Sequence, residues 1–140
     1  KAKDWEAITA QAQKCLAWVR RARGQGLYTG IEHVGLYPSD QASGAEVAAY
    51  YERAFGLKSV EGNSSFFLAG PGAGRIEVMK GQPEVRCHVA VRVSDFEAAL
   101  EDLKAKGIAF GEPSIRPTSK SVYLAEPDPA GNLVHLLWLP

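Results

Sequence analysis

The sequence predicts an α+β domain in which paired βαβββ modules form a curved mixed sheet around a cavity, with an extra helix at the N-terminus. Three observations predict it. The pattern of strand, helix and three short strands occurs twice between residues 30 and 139. Residues match between the copies: His33-Val34 with Ser39-Asp40 in the first, His88-Val89 with Ser94-Asp95 in the second. The glycines and prolines that stop helices and turn hairpins fall at equivalent points of both copies. The expected organisation is a helical extension over residues 1–29 and a single domain over 30–139, with modules at about 30–81 and 85–139.

The first element is a helix in KDWEAITAQAQKCLAWVRRARGQG. Trp5, Ile8, Ala12, Cys15 (or Leu16) and Val19 recur at helical spacing, and Gly24 and Gly26 close it. Its basic end, RRAR, falls in the last turn, where the helix dipole favours cations. The apolar stripe is narrow, so the helix is expected to pack on the outer face of the sheet or on a neighbouring copy of the chain. GIEHVGLYPSD then reads as a strand, and GAEVAAYYERAFGL as a helix closed by Gly56. Short strands follow around KSVEG, SSFFLAG and GRIEVMK, the last two joined by the turn AGPGAG. The second copy runs through the strand RCHVAVRVSD and the helix FEAALEDLKAKG, stopped by Gly107. Strands around IAFGEP, SKSVYLAEP and GNLVHLLWL complete it, with EPDPAG as the last hairpin turn.

Composition narrows the function classes. The 140 residues suffice for one domain with a real core, and 46% apolar with 23% charged residues is an ordinary globular balance. Sixteen basic residues match sixteen acidic ones, so no overall field favours nucleic acid or anionic lipid. No apolar run approaches the roughly 20 residues that span a bilayer. No signal-peptide pattern is visible, and the first residue is Lys1 rather than Met. Two cysteines are too few for a disulfide framework and point to a reducing cytoplasm. Cys15 and Cys87 are read as packing residues.

The chemistry lies in four interruptions. In EHVGL, RIEVM, CHVAV and LVHLL a histidine or glutamate breaks an apolar strand. Side chains alternate faces along a strand. Val34, Ile76, Val78, Val89, Val134 and Leu136 are therefore expected under the helices, and His33, Glu77, His88 and His135 on the opposite, concave face. His33 and His88 stand 55 residues apart and Glu77 and His135 58 apart, and all three histidines of the chain belong to the set. A lone histidine in an apolar strand is usually a hydrogen-bonded core residue, and a lone glutamate is usually paired with an arginine. Four such residues at repeat-related positions share a cause. Burying them unpaired is costly, and one metal ion would satisfy all four. Three imidazoles and a carboxylate suit Zn, Ni, Fe, Co or Mn and match Ca or Mg poorly. They can close a tetrahedral site, or leave positions open on a five- or six-coordinate ion as catalysis requires.

The phrases IEHVGLYPSD, AAYYERAFGL, FFLAGPGAGRIEVM, CHVAVRVSDFEAALEDLKAKGIAF and AEPDPAGNLVHLLWL, in this order and spacing, resemble the vicinal oxygen chelate superfamily. That group contains glyoxalase I, bleomycin and fosfomycin resistance proteins, and extradiol dioxygenases. The resemblance covers roughly residues 30–139 and leaves the first helix outside. It implies the paired-module fold. It also implies, as in glyoxalase I-like members, a metal held by the first and last strand of each module: His33 and Glu77 from one, His88 and His135 from the other. One position departs. The usual ending, DP-x-GN-x-x-E-L, carries a glutamate as ligand and often as proton-transferring base, whereas DPAGNLVHLL carries His135. A histidine can bind metal and, with an unperturbed pKa of about 6.5, can act as a base. Glu77 is then the only carboxylate of the set, which also alters the extradiol pattern of two histidines and one carboxylate.

The implied chemistry is chelation of a substrate through neighbouring oxygens by a divalent transition metal, with Glu77 or His135 as catalytic proton shuttle. Strand neighbours of the ligands (Tyr37, Arg75, Met79, Arg92, Leu133 and Leu137), with Phe67 and Tyr123 on adjacent hairpins, would line a mainly apolar pocket with guanidinium anchors. Tyr37, Phe67, Arg75, Arg92 and Tyr123 are the expected substrate-binding residues. Arg92 suits a substrate carboxylate or phosphate as well as it suits neutralising Glu77. The expected function is a metal-dependent glyoxalase-like lyase or isomerase acting on a small oxygen-chelating substrate. Beside it stand a metal-free drug or small-ligand binding protein of the bleomycin resistance type, an extradiol-type dioxygenase, and an accessory module whose N-terminal helix is its interaction element. The resemblance also implies a homodimer with a small-molecule partner, not nucleic acid or membrane.

Overall fold

The chain runs α1 (Trp5–Ala22), β1 (Tyr28–Leu36), α2 (Gly44–Phe55), β2 (Lys58–Glu61), β3 (Ser65–Ala69) and β4 (Arg75–Met79). It continues through β5 (His88–Val93), α3 (Phe96–Ala105), β6 (Ser114–Arg116), β7 (Ser119–Tyr123) and β8 (Leu133–Trp138). This computed structural model describes residues 4–22, 26–81 and 87–140, with helix positions 17 and 20–22 described by backbone alone. The basic run at 20–23, the expected helix stop at Gly24 and the junction of the modules at 82–85 therefore lie outside the described residues or side chains.

Local signals set the helix ends. Ser43 caps α2 in a reciprocal box: its side chain accepts from the Glu46 N–H, and its own N–H donates to the Glu46 carboxylate at 2.7 Å. Gly56, at φ 68°, closes that helix in the left-handed conformation that glycine adopts at least cost. Asp95 caps α3 by accepting from the Ala98 N–H at 3.0 Å. Gly107, at φ 70°, follows its end as expected. Ser43→Ala is expected to cost about 1 kcal/mol of stability, read by urea denaturation.

The eight strands form one open sheet in the order β2-β3-β4-β1-β5-β8-β7-β6. Each module supplies four adjacent strands. The modules meet where β1 pairs antiparallel with β5, and each of these central strands pairs parallel with the last strand of its own module, β4 or β8. Each module also has its own buried cluster. Ala48 of α2 packs with Leu68 and Val78, and Phe96, Ala99 and Leu103 of α3 pack with Val93, Val122 and Leu136.

Three expectations are corrected, and a fourth, the packing of α1, is narrowed. Val34 is not covered by a helix and is 38% exposed, because α2 lies over β2–β4 and α3 over β8, leaving the outer face of β1 open between them. The strand expected at IAFGEP shrinks to a single bridge between Phe110 and Leu124. Pro113 has no N–H to give a ladder, and regular pairing resumes only at Ser114. Within this chain the sheet does not cover the α1 stripe: Trp5, Ile8, Leu16 and Val19 are exposed, as is Trp18. Cys15 and Cys87 are exposed free thiols rather than packing residues, one on that uncovered helix and the other just before β5.

Candidate metal centre

The register places the four polar residues in two rows across the concave face. In one row Arg75, His33, Ala90, His135 and Tyr123 are successive cross-strand partners on β4, β1, β5, β8 and β7. In the other, Phe67, Glu77, Gly35, His88 and Leu133 follow one another from β3 to β8. Cross-strand partners share a face, so all four predicted residues project to the same side. The middle residues, Gly35 and Ala90, are small and clear space for the rings. Sequence reasoning missed both. Their signal is that they lie two residues after His33 and two after His88, at the same point of each copy.

The side chains converge. His33 Nε2 lies 3.1 Å from His88 Nε2 and 3.2 Å from Glu77 Oε2, and His88 Nε2 lies 3.3 Å from the same oxygen. One ligand atom from each of His33, His88 and His135 fits within 4.8 Å of the others. Ligand atoms about 2.1 Å from a shared ion stand roughly 3–3.5 Å apart, so these spacings suit coordination. All three histidines are buried, His135 at 6% exposure. Neither ring nitrogen of His135, nor Nδ1 of His88, has a hydrogen-bond partner among the described residues. Orphaned buried nitrogens are expensive, and an ion at the centre would take up one ring nitrogen of His135. The residues present therefore fit a divalent transition metal.

The electrostatics are internally balanced. Burial raises the pKa of Glu77, but hydrogen bonds from His33, His88 and Ser65 outweigh it and hold the carboxyl far below the usual carboxylate range. Ser65, buried and donating to Glu77 Oε1 at 2.7 Å, is another residue that sequence reasoning missed. Burial disfavours a charged His33, yet hydrogen bonds and attraction from Glu77 and Glu32 prevail and raise its pKa. His135 has no such partner. Burial first, then the charges of His33 and His88, push it down to about 4.

Aromatic rings wall the centre. Tyr123 stacks on His135 at 4.7 Å and 17°, Tyr37 meets His88 edge-on at 6.0 Å, and Phe67 meets His33 edge-on at 6.1 Å. Arg75 lies over Phe67, 4.9 Å from the ring centre. Arg92 is exposed at the rim and makes no ion pair with Glu77, whose partners are the two histidines and Ser65. Beside the centre a cleft of about 510 Å³ is lined by Glu32, Arg75, Arg92 and the loop Gly72–Gly74, among others.

Glu32 is the largest surprise. Strand alternation puts it opposite His33, but a register shift between Ile31 and His33 turns both inward, and Glu32 is 8% exposed. Its two carboxylate oxygens are divided, one on His33 Nδ1 and the other on the Arg75 guanidinium.

Residues 30–136 match the Glyoxalase/Bleomycin resistance protein/Dioxygenase superfamily. No curated protein sequence matches the chain. Among solved structures, a methylmalonyl-CoA epimerase from Mycobacterium tuberculosis is similar at TM-score 0.65 and 24% identity, covering 82% of this chain and 91% of that one. A second methylmalonyl-CoA epimerase gives TM-score 0.65 at 20% identity, covering 82% and 98%. A variant of the Streptomyces coelicolor methylmalonyl-CoA epimerase in complex with 2-nitronate-propionyl-CoA gives 0.60 at 19%, covering 80% and 98%. No described helix is long and apolar enough to cross a membrane.

Proposed function

Because the chain belongs to the glyoxalase/bleomycin resistance protein/dioxygenase superfamily, we propose that it is a metal-dependent enzyme of the lyase or isomerase type, acting on a small substrate with neighbouring oxygens. One observation carries the reading. His33, Glu77, His88 and His135 meet on one buried face, and both ring nitrogens of His135 lack any partner among the described residues. A divalent transition metal held by these four would supply Lewis acidity toward a substrate oxygen.

The chain's own groups divide the remaining work. In the metal-free chain Glu77 holds His33 and His88 together at their Nε2 atoms, the nitrogens that a metal would take. His135, neutral near pH 7, offers a lone pair rather than a proton, the form needed by a ligand or a general base. Burial raises the phenol pKa of Tyr37 and Tyr123, with the Glu77 charge adding to it in both, so these remain donors able to hydrogen-bond charge developing on a substrate oxygen. Arg92, at the cleft, suits an anionic substituent, while the Arg75 guanidinium is engaged by Glu32. The epimerase neighbours favour isomerase over lyase: epimerisation removes and returns a proton at carbon beside a carbonyl, a task for a neutral base next to a Lewis acid. A homodimer belongs to the same proposal, with the exposed stripe of α1 as surface for a partner to cover.

Elemental analysis after reconstitution with Zn, Ni, Co, Mn or Fe tests the reading. We expect about one ion per wild-type chain and far less in His88→Ala, together with metal-dependent exchange of an acidic α-proton of a 2-substituted acyl substrate for solvent deuterium. Wild-type protein that stays empty would sink the proposal and favour the metal-free ligand-binding reading.

A further inference from the structure

We propose that Glu32 and Arg75 form a positioning pair for the metal centre, in which Glu32 fixes the ring and tautomer of His33 and Arg75 anchors the Glu32 carboxylate. The inference rests on the metal-binding reading above. It starts from the irregularity in β1. A bulge interrupts the ladder, and a carboxylate buried beside other charges is costly unless it is paired. Here the bulge brings a second carboxylate to the concave face, where its oxygens are shared between one imidazole and one guanidinium. Arg75 is well placed to hold it: its Cα is the cross-strand partner of His33, and its guanidinium rests on Phe67.

The geometry fixes which nitrogen faces inward. With Glu32 accepting at Nδ1, His33 keeps a proton there, and Nε2, which faces His88 Nε2 and Glu77 Oε2, is the nitrogen that a metal would take in place of its proton. Histidines that bind metals generally donate their other N–H to a carboxylate or carbonyl, which sets the tautomer and strengthens the ligand. The three imidazoles are held by different devices. Glu32 holds His33 by a charged hydrogen bond, the bare Cα of Gly35 gives the His88 ring its bed, and Tyr123 stacks on His135. Only His33 has a carboxylate on its outward nitrogen, since Nδ1 of His88 and both nitrogens of His135 are without hydrogen-bond partners among the described residues. The blander alternative is a simple ion pair tying β1 to β4.

The test compares the full-length wild type with Glu32→Ala, Glu32→Gln and Arg75→Met. Zn(II) affinity is measured by chelator competition, thermal melting reports the fold, and long-range ¹⁵N–¹H NMR of the metal-free chain at alkaline pH reports the His33 tautomer. Glu32→Ala is expected to weaken Zn(II) binding about 10- to 100-fold and to release His33 into a mixture of tautomers. Glu32→Gln, whose amide oxygen still accepts from Nδ1–H, should keep the tautomer and lose less affinity. Arg75→Met, which frees the carboxylate from its anchor, should also lose less than Glu32→Ala. A lowered melting temperature with wild-type affinity and tautomer would identify a plain strand tie and overturn the proposal. Should Glu32→Ala fail to fold, Glu32→Gln decides: retained tautomer with severalfold weaker binding supports the pair, and wild-type affinity overturns it. Wild-type protein that takes up no metal defeats the metal reading alone. The NMR arm then judges the hold of Glu32 on His33 separately, and mixed tautomers in the wild type overturn it.

Discussion

Gly35→Ala is expected to abolish metal binding at a modest cost in stability. A Cβ on residue 35 would lie 1.9 Å from Cε1 and 2.3 Å from both nitrogens of the His88 ring. The backbone of residue 35 needs no left-handed conformation, so the whole effect falls on that ring. Two responses are open. If the ring stays, the overpacked site costs about 1–3 kcal/mol. If the ring swings away, strain is relieved and a ligand is lost. The second is favoured because a terminal imidazole moves more readily than two paired strands. Metal affinity should then fall by more than the roughly 10- to 100-fold typical of losing an outer partner of a ligand. Chelator competition and urea denaturation measure the two effects. The double variant Gly35→Ala/His88→Ala should be no less stable than His88→Ala alone, because the clash has vanished. An additive loss of stability would show that residue 35 acts through the backbone instead.

The metal-free protein is expected to be most stable near pH 6.5 and to lose stability on both sides. His135 governs the acid limb. Its folded pKa is about 4 against a model value of 6.5. Between those values the unfolded chain carries a proton that the folded one does not, so stability falls as pH drops, by at most about 3 kcal/mol. His33 governs the alkaline limb. Its folded pKa is raised, so its contribution is complete below 6.5 and disappears as pH climbs through the folded value. Glu77, with its lowered pKa, adds a further loss below its model value of 4.5. Urea midpoints in EDTA from about pH 4 to 9 should trace this bell, and His135→Gln should flatten it between 6.5 and 4.5. A wild-type profile that stays level through that interval would contradict the burial of a neutral His135. Adding metal should shift the optimum to higher pH, since protons compete for the same nitrogens.

Much of this was legible before any coordinates, because two periodicities were at work. The 55- and 58-residue offsets exposed the repeat, and alternation along each strand then brought His33, Glu77, His88 and His135 to one face. What alternation cannot show is a point where it breaks. Glu32 escaped because the bulge at Ile31–His33 sets two consecutive residues inward. The only local hint is Gly30 inside the strand, at φ 140°. The edge strand at IAFGEP was misplaced because the apolar run pairs for a single bridge before Pro113 interrupts it. The covering of Val34 and of α1 depends on how far each helix reaches, which no single strand or helix encodes.

The seam between β1 and β5 has an energetic consequence for the molecule as a whole. Each half carries its own buried cluster, and the two halves share the β1–β5 ladder. The four donors are divided evenly across that seam, two on each side. An ion held by all of them would act as a rivet, its binding free energy opposing the separation of the two halves. Opening either half breaks half of the coordination. Metal loading is therefore expected to raise the cost of parting the two halves along the β1–β5 seam as well as that of unfolding the chain.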